Sequence, residues 1–355
     1  MHSTSPTSKL STIFTALALT AAIILSNNNV NYVTATIPIT TQVNRANLTL
    51  SGHTAPIRAI AISLNNQIIA SGSDDKTIKL WNFNTGKLLR TLTEHKETIS
   101  SLAISPDNQI LVSSSIRENT IKLWNIQTGQ LIRTLNGHSA AVTSINLSKD
   151  GQTIASASMD KTVRLWNIKT GKLQHTLKAE ARSVIFSPDS KTLYTGGIDG
   201  TIKLWNLSNR KLITTLTPPK PISPILPTAR ASAVVSLAIS PDGQTLINGG
   251  FDDSYESLPQ TDAKNVKVWN LKTRKLIHNF SVGGGVVDTV VISPNSQNFV
   301  TGGLSHKISI WDVKTGKLVR TLEGHAGGIY GLAISKDGKT LISGSGDKSI
   351  KTWQL

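Results

Sequence analysis

Seven tryptophans in one recurring sequence context constrain this chain more than any other feature. Successive tryptophans are 43, 42, 39, 64, 42 and 42 residues apart, and most end a run such as Thr-Ile-Lys-Leu-Trp. A period of about 40 residues is typical of a radial or linear array of one repeated structural unit. The seven positions are Trp81, Trp124, Trp166, Trp205, Trp269, Trp311 and Trp353.

Each repeat predicts four short antiparallel strands. Runs of β-branched and apolar residues alternate with turn residues, and no window shows the 3.6-residue periodicity of a helix. Residues 240–244 place proline and glycine where a type I turn prefers them, and Gly171 is free to take a positive φ in the turn at 169–172. Connections this short exclude parallel crossovers, so we expect an all-β chain of antiparallel sheets.

Two residue pairs also recur within the repeats. Gly-His occurs at residues 52–53, 137–138 and 324–325, with a Glu-His variant at 94–95, and Trp-Asp occurs at 311–312. In these features the chain resembles the WD40 repeat proteins, a family of β-propellers whose units carry a Gly-His and a Trp-Asp pair. Seven sheets arranged radially bury faces that one sheet could not bury alone. The expected propeller spans residues 46–355, with repeats at about 50–91, 93–134, 136–177, 179–216, 230–280, 282–321 and 323–355.

The two ends of the repeat region predict a closed ring. The last repeat stops two residues after Trp353 and therefore lacks a fourth strand. A spare strand precedes the first repeat, because residues 47–51 resemble the outer-strand sequence at 133–136. We expect residues 46–50 to complete the last blade, which removes a sheet edge that would otherwise invite aggregation.

The first 35 residues have the layout of a secretory signal peptide or an N-terminal membrane anchor. Lys9 precedes an uncharged run of 16 residues at 10–25, and a polar stretch and the small-residue site around Ala35 follow it. The run is short for a membrane span of about 20 residues. The pattern predicts an exported protein, either periplasmic, extracellular or lumenal, or one anchored to a membrane.

The composition narrows the classes of partner and of chemistry. The chain has no cysteine, which excludes disulfides and thiol chemistry, and its net charge is +16. Lysines recur at one turn type and aspartates at another turn on the same rim, and no dense basic run or set of base-stacking aromatics is present. We expect a solvated basic surface, with an anionic membrane surface as the alternative and no specific nucleic-acid binding.

A histidine, a serine, an aspartate and a tryptophan recur at equal spacing in three repeats. The pattern could be mistaken for a catalytic triad, but three equivalent active sites around one ring would be unusual. The family resemblance implies a buried hydrogen-bond network, which we call the tetrad, that holds the strands of a blade together. The tetrads are His53, Ser71, Asp75 and Trp81; His138, Ser156, Asp160 and Trp166; and His325, Ser343, Asp347 and Trp353.

The other repeats depart from the tetrad. Repeat 2 has Glu118 at the aspartate position and either Ser113 or Ser114 at the serine position. Repeat 4 keeps Thr195 and Asp199 but lacks the histidine. Repeats 5 and 6 lack both the histidine and the aspartate, and we expect packing to hold these blades. At the serine position they have Asn248 and Thr301.

The innermost strands carry little that could support catalysis. Asp288 is their only carboxylate and they contain no histidine, so the ligands of a hydrolytic metal are missing. No glycine-rich loop with a lysine is present to hold a phosphate. We therefore predict a non-enzymatic interaction scaffold without cofactor or metal. A propeller enzyme or a small-ligand binder that uses the central channel is the alternative.

Two insertions in the long fourth interval indicate where a partner binds. They lie at residues 217–232 and 251–265, in loops that we expect on one rim, and drift in a tolerant loop is the alternative reading. The family resemblance implies partner contacts on this rim, and its arginines and tyrosine fit an acidic peptide or protein segment. The implied positions are Pro56, Arg58, Asp74, Thr98, Ser100, Arg117, Ala141, Thr143, Met159, Arg182, Ile198, Asp288, Leu304, Gly328, Tyr330 and Gly346.

Overall fold

The computed structural model describes residues 46–219, 233–251, 265–283 and 285–355. These residues form 28 strands and no helix, and the strands group into seven four-stranded antiparallel sheets. The innermost strands of successive sheets contact each other, and β26 of the last sheet contacts β2 of the first. The sheets are therefore the blades of a closed seven-bladed β-propeller, as the sequence predicts.

Every blade has the same strand order from the channel outward. The innermost strands of blades 1 to 7 are β2 (Ile57–Ile62), β6 (Ile99–Ile104), β10 (Val142–Leu147), β14 (Ala181–Phe186), β18 (Ala233–Ile239), β22 (Val287–Ile292) and β26 (Ile329–Ile334). The second strands are β3 (Ile68–Ser73), β7 (Ile110–Ser115), β11 (Thr153–Ser158), β15 (Thr192–Gly197), β19 (Thr245–Phe251), β23 (Asn298–Gly303) and β27 (Thr340–Ser345). The third strands are β4 (Ile78–Asn82), β8 (Ile121–Asn125), β12 (Thr162–Asn167), β16 (Ile202–Asn206), β20 (Val266–Asn270), β24 (Ile308–Asp312) and β28 (Ser349–Gln354). The outer strands are β5 (Leu88–Leu92), β9 (Leu131–Leu135), β13 (Leu173–Lys178), β17 (Leu212–Leu216), β21 (Lys275–Phe280), β25 (Leu318–Leu322) and β1 (Leu48–Ser51).

The strand that closes the ring comes from the opposite end of the chain. β1 pairs antiparallel with β28, and Leu50 lies opposite Ile350. Leu50 is only 4% exposed and belongs to a cluster that also contains Ile57 and Trp81 of blade 1. The closing strand that the sequence predicts at residues 46–50 is confirmed, although it begins two residues later, at Leu48.

The core lies between neighbouring blades. In one cluster, Ile78 and Leu80 of blade 1 pack with Ile99 and Trp124 of blade 2. A glycine in the second strand allows this approach, because a Cβ atom at Gly72 would lie only 2.4 Å from Cγ2 of Ile99. Glycine at this position therefore sets how closely two blades can pack.

Hydroxyl groups on the innermost strands link blades directly. Ser100 Oγ donates to the carbonyl of Val142 at 2.6 Å, and Thr143 Oγ1 donates to the carbonyl of Arg182 at 2.9 Å. These serines and threonines satisfy backbone groups of the next blade, which have no strand partner on the channel side. Small polar residues on the innermost strands thus add to the packing that holds the ring together.

Several sequence predictions lie outside the described residues. These are the targeting segment at 1–35 and most of the two insertions, at 220–232 and 252–264. Within the described part of the chain, no helix is both long enough and apolar enough to cross a membrane.

Removal of the closing strand should open the ring. A chain that starts at Gly52 exposes the edge of β28 and uncovers the core around Ile350, so we expect cooperative thermal unfolding to be lost or the protein to aggregate. The matched control starts at Ala46 and keeps β1. Calorimetry of both proteins tests this, and equal melting curves would contradict the closure argument.

Candidate binding site at the mouth of the channel

Each of the seven innermost strands carries one bulged residue at the same place. The pairing register with the second strand shifts across this residue in every blade, as between Ile57 and Ala59 in blade 1. A bulge re-aims its side chain, and here all seven bulged residues line one cavity of about 600 Å³. We call them the bulge ring: Arg58, Ser100, Thr143, Arg182, Val235, Asp288 and Tyr330.

A sequence signal for the bulge ring exists. Each member stands five positions before the serine that begins the next turn, as Arg58 stands before Ser63 and Val235 before Ser240. The turn serine donates to a side chain two residues on, for example Ser240 Oγ to Asp242, and its position fixes the start of the second strand. Counting back five positions from this serine identifies Val235. Counting forward from the loop histidine does not, because repeat 5 lacks that histidine.

The turn between the second and third strands contributes a further set of side chains to this rim. In blade 2 this turn has one extra residue, so Ile116 takes the place that Asp74 has in blade 1. The Ile116 N–H donates to the Thr98 carbonyl, just as the Asp74 N–H donates to the Pro56 carbonyl. Sequence alignment gave this place to Arg117, which nevertheless also lines the cavity. Ile116 was therefore missed.

Most of the predicted rim residues come together in the structure. Six of the predicted positions do not line the cavity, among them Ile198 and Leu304, which are both exposed; the other four are Pro56, Ala141, Gly328 and Gly346. Ile116, Met159 and Ile198 occupy the same turn in blades 2, 3 and 4 and are 39%, 55% and 52% exposed. The predicted rim residues that line the cavity are Arg58, Asp74, Thr98, Ser100, Arg117, Thr143, Met159, Arg182, Asp288 and Tyr330.

The arginines of the mouth differ in how far they are already paired. Arg58 donates from Nε to Asp74 Oδ1 at 3.0 Å and from Nη2 to Asp74 Oδ2 at 2.6 Å, and it lies 4.4 Å over the ring of Tyr330. Hydrogen bonding to Asp74 raises the pKa of Arg58. Arg117 and Arg182 have no side-chain hydrogen bond or ion pair with any described residue, so their guanidinium groups are available to a ligand.

Asp288 is the unusual acid of the mouth. It is half-buried, and its Oδ2 atom has no hydrogen-bond partner among the described residues. Burial raises the pKa of Asp288 to about 6, against the opposing charges of Arg58 and Arg182. A buried carboxyl without a partner is costly to keep ionised, so this group is poised to take up a proton or a ligand.

The tetrads lie inside the blades, away from this cavity. In blade 1, Trp81 Nε1 donates to Ser71 Oγ at 2.9 Å, the Ser71 hydroxyl lies 2.8 Å from His53 Nε2, and His53 Nδ1 lies 2.7 Å from Asp75 Oδ2. A neutral imidazole with its proton on Nδ1 satisfies all three contacts. Blades 3 and 7 repeat this geometry with the residues that the sequence grouped together.

Blade 2 assembles an equivalent network from different residues. His95 lies 2.7 Å from Ser113 Oγ and also contacts the carboxylate of Glu118. Trp124 donates to Ser113 at 2.8 Å, so Ser113 rather than Ser114 occupies the serine position. The longer glutamate side chain compensates for the extra residue in the turn.

Blades 4, 5 and 6 keep only the tryptophan end of the network. Their tryptophans donate to a threonine or an asparagine: Trp205 to Thr195, Trp269 to Asn248 and Trp311 to Thr301, at 3.0, 2.9 and 2.9 Å. Asp199 bonds only within its own turn, where it accepts from Thr201.

The pKa values of the buried histidines and of the carboxylates bonded to them are both lowered. Burial lowers the pKa of each of the four buried histidines, and the bonded carboxylate opposes this shift without overcoming it. Burial alone would raise the pKa of Asp160, but hydrogen bonds from Thr162, His138 and the Ser139 N–H bring it to about 2. Both groups are therefore held in the form that the network needs at neutral pH, a neutral imidazole and an ionised carboxylate.

No group of three or more histidine, aspartate or glutamate side chains could hold a metal ion within the described ranges.

Six segments of the chain match the family described as "WD domain, G-beta repeat", at residues 45–82, 86–125, 129–167, 171–206, 274–312 and 316–354. Together they cover more than half of the chain. The chain belongs to the WD40 family.

The family repeat is offset from the blade. Each matched segment runs from the outer strand of one blade to the third strand of the next, which is the offset that the closing strand β1 requires. No segment matches between residues 206 and 274, where both insertions lie, yet β18, β19 and β20 lie in this interval and form a complete blade with β21.

Among curated WD40 relatives, the chain is 43% identical over 67 residues to the pre-mRNA-splicing factor PRP46 of Candida glabrata. It is 34% identical over 65 residues both to periodic tryptophan protein 2 of Arabidopsis thaliana and to a ribosome biogenesis protein BOP1 homolog of Drosophila virilis. These matches cover 19%, 18% and 18% of the chain and 16%, 7% and 8% of the relatives. The likeness is thus confined to a short part of each protein.

The comparison corrects one sequence prediction. Two of these relatives are named for pre-mRNA splicing and for ribosome biogenesis, which are nuclear and nucleolar processes. The prediction of an exported or membrane-anchored protein is therefore wrong on this comparison. It rested on an apolar run with suitable flanks, a pattern of hydropathy that does not by itself require export.

Loss of a tetrad carboxylate should weaken the WD40 ring. Asp160→Ala leaves His138 and the Ser139 N–H without their acceptor, and we expect a cost of about 1–3 kcal/mol in the free energy of unfolding. Asp199→Ala is the matched control, because Asp199 is exposed and contacts no histidine. Chemical denaturation measures both. An equal, small cost for the two variants would argue against a structural role for the tetrad.

The ring should lose stability in mild acid. Each buried histidine has a folded pKa below 6.5, so the unfolded chain binds more protons, and stability is complete above about pH 6.5 and falls as the pH drops below it. Aspartates of the network add a second loss below about pH 4. The raised pKa of Asp288 has the opposite effect, because it adds stability as the pH falls, but it is one group against four histidines. Urea denaturation from about pH 7.5 to 5 tests this, and a flat profile would contradict it.

Proposed function

We propose that this protein is a non-enzymatic interaction scaffold that receives an acidic segment of a partner protein at the mouth of its channel. The observation that carries the proposal is the bulge ring, because seven re-aimed side chains from seven blades line one cavity of about 600 Å³. A site to which every blade contributes suits recognition of an extended or looped segment.

Charge and apolarity together favour an acidic segment that also carries apolar side chains. Arg117 and Arg182 have unpaired guanidinium groups, whereas the charge of Arg58 is already balanced by Asp74. Ile116, Met159 and Ile198 expose apolar surface in the same turn of three consecutive blades, and the first two line the cavity with these arginines. Arginine paired with carboxylate and exposed apolar side chains are both common anchors of protein interfaces.

The opposite rim is a weaker candidate. Its lysines, such as Lys172 and Lys317, are exposed, but the aspartates of the neighbouring turns interleave with them. Asp242 and Asp337 each accept hydrogen bonds from a turn hydroxyl and a turn N–H group, at 2.5 to 3.1 Å. The charge there belongs to turn formation and solvation, which gives no directed site for a partner.

The relatives offer a setting for such a scaffold. The names of two of them connect those proteins with pre-mRNA splicing and with ribosome biogenesis, both carried out by assemblies of proteins and RNA. We propose a protein partner within an assembly of this kind. A small ligand bound in the channel is the second candidate, and the size of the cavity is the observation in its favour.

Charge reversal on the two rims tests the proposal. The probe is a fluorescein-labelled peptide of Glu-Glu-Leu repeats, with a Gln-Gln-Leu peptide as the uncharged control. The double variant Arg117→Glu, Arg182→Glu should bind the acidic peptide at least about tenfold more weakly, mainly through slower, salt-dependent association. Fluorescence anisotropy and stopped-flow mixing measure the two quantities.

The matched control reverses two charges on the opposite rim, Lys172→Glu and Lys317→Glu, with the same change in net charge. This variant should keep its affinity for the acidic peptide within about twofold, because these lysines are remote from the bulge ring. If the opposite-rim variant lost the peptide and the mouth variant did not, the proposed face would be wrong.

A further inference from the structure

Arg182 and Asp288 are the two bulge-ring residues whose charged groups remain without a direct partner. Arg182 is the bulged residue of β14 and Asp288 that of β22, so one blade separates them around the ring. The bulged residue of that blade is Val235, which offers neither side chain a hydrogen bond. Both charged side chains line the same cavity, and no ion pair within 4 Å joins them.

The surroundings of Asp288 contain few other ionisable groups. The described strands that pack against β22 are β18, β19, β23 and β26, and Tyr330 on β26 is their only titratable side chain. Beyond these strands, Arg58 and Arg182 act on Asp288 through their charge from blades 1 and 4. Arg58 already holds Asp74, so Arg182 is the arginine left to act with Asp288 on a ligand.

An acidic ligand at Arg182 meets an obstacle in the ionised form of Asp288. Two carboxylates brought together in this cavity repel each other, because the partial burial of Asp288 leaves less water to screen the two charges. A proton shared between them removes the repulsion and supplies a short hydrogen bond. The buried Oδ2 atom, which lacks a partner, is the atom that such a bond would satisfy.

We propose that Arg182 and Asp288 form one carboxylate-binding subsite, in which Asp288 takes up a proton from solvent as the ligand binds and donates a hydrogen bond to the ligand's carboxylate. Arg182 pairs with the same carboxylate through its guanidinium group. This inference rests on the proposed binding of an acidic segment and names the group of that segment that enters the channel.

Proton uptake by Asp288 determines the direction in which the affinity for the acidic ligand changes with pH. Burial already brings the pKa of Asp288 to about 6, and a bound anion raises it further. The complex therefore holds one proton more than the free protein at neutral pH, so affinity increases as the pH falls from about 8 towards 6. Above this range the carboxyl is ionised and the ligand must bear the cost of protonating it.

The variant Asp288→Asn tests the subsite. Its amide donates a hydrogen bond at any pH, so it should bind the Glu-Glu-Leu peptide with little pH dependence. At about pH 7.5 it should bind up to about thirtyfold more tightly than the natural protein, which corresponds to a pKa near 6. Calorimetry in two buffers of different ionisation enthalpy should detect proton uptake by the natural protein and none by the variant.

Glu97→Gln is the matched control. Glu97 lines the same cavity and carries the same charge, but it forms an ion pair with Lys76 at 3.8 Å and none with Arg182. This variant should keep the pH profile of the natural protein. Thermal unfolding of all the proteins over the same pH range separates effects on binding from effects on the tetrad histidines.

Three outcomes would overturn the proposal in distinguishable ways. Equal pH profiles for Asp288→Asn and the natural protein would reject the subsite, while loss of binding in the arginine double variant would leave the proposed function standing. Weaker binding by Asp288→Asn at every pH would mean that Asp288 binds as an ionised carboxylate that accepts a hydrogen bond from the peptide, and would reject the protonated subsite. Failure of the natural protein to bind the acidic peptide in preference to its Gln-Gln-Leu counterpart would reject both the proposed function and the subsite.

Discussion

The structure depends on the packing of each sheet against its two neighbours. A four-stranded sheet with two apolar faces is unstable alone, and each blade here shares its core with the next, as Ile78 and Leu80 do with Ile99 and Trp124. Glycine in the second strand makes this contact close, for a Cβ at Gly344 would lie 2.7 Å from Cγ2 of Ile57. Because that pair joins blade 7 to blade 1, closure of the ring uses the same glycine contact as blades 1, 4, 5 and 6, whereas blades 2 and 3 have Ser114 and Ala157 at this position.

The hydrogen-bond networks are distributed unevenly around this ring. Blades 7, 1, 2 and 3 are consecutive and hold a buried histidine, whereas blades 4, 5 and 6 are consecutive and hold none. The first group includes the blade that closes the ring with a strand from each end of the chain. The second group contains the blade with both insertions. Blades that keep only the tryptophan hydrogen bond have fewer polar contacts to satisfy, which makes them more tolerant of altered loops.

One device, repeated seven times, creates the candidate site. A bulge in each innermost strand turns one side chain towards the channel mouth, so a site is assembled from residues that are about 40 positions apart in the chain. The scaffold places the seven positions, and the identity of each residue is free to differ. Here the ring holds two arginines, an aspartate and a tyrosine, and this uneven charge distinguishes the site from the uniform core beneath it.

The amino-acid sequence by itself determined the architecture. The tryptophan period, the turn residues and the spare strand before the first repeat predict seven antiparallel blades and their closure, because these features are local or recur at a fixed spacing. It also indicated most of the mouth, through positions counted within each repeat. Counting failed in blade 2, where one extra turn residue moved Ile116 into the place expected for Arg117.

Only the tertiary structure decided which mouth residues are chemically available. Arg58, Arg117 and Arg182 are all candidate ligand-binding residues in the sequence, but Asp74 and Tyr330 engage Arg58 and leave the other two unpaired. Likewise, the sequence shows Asp288 as a lone acid, and the fold makes it a half-buried carboxyl with an unpartnered oxygen. Pairing and burial depend on distances across the ring between distant segments of the chain. Those distances are set by how seven sheets close around an axis, and no local pattern records them.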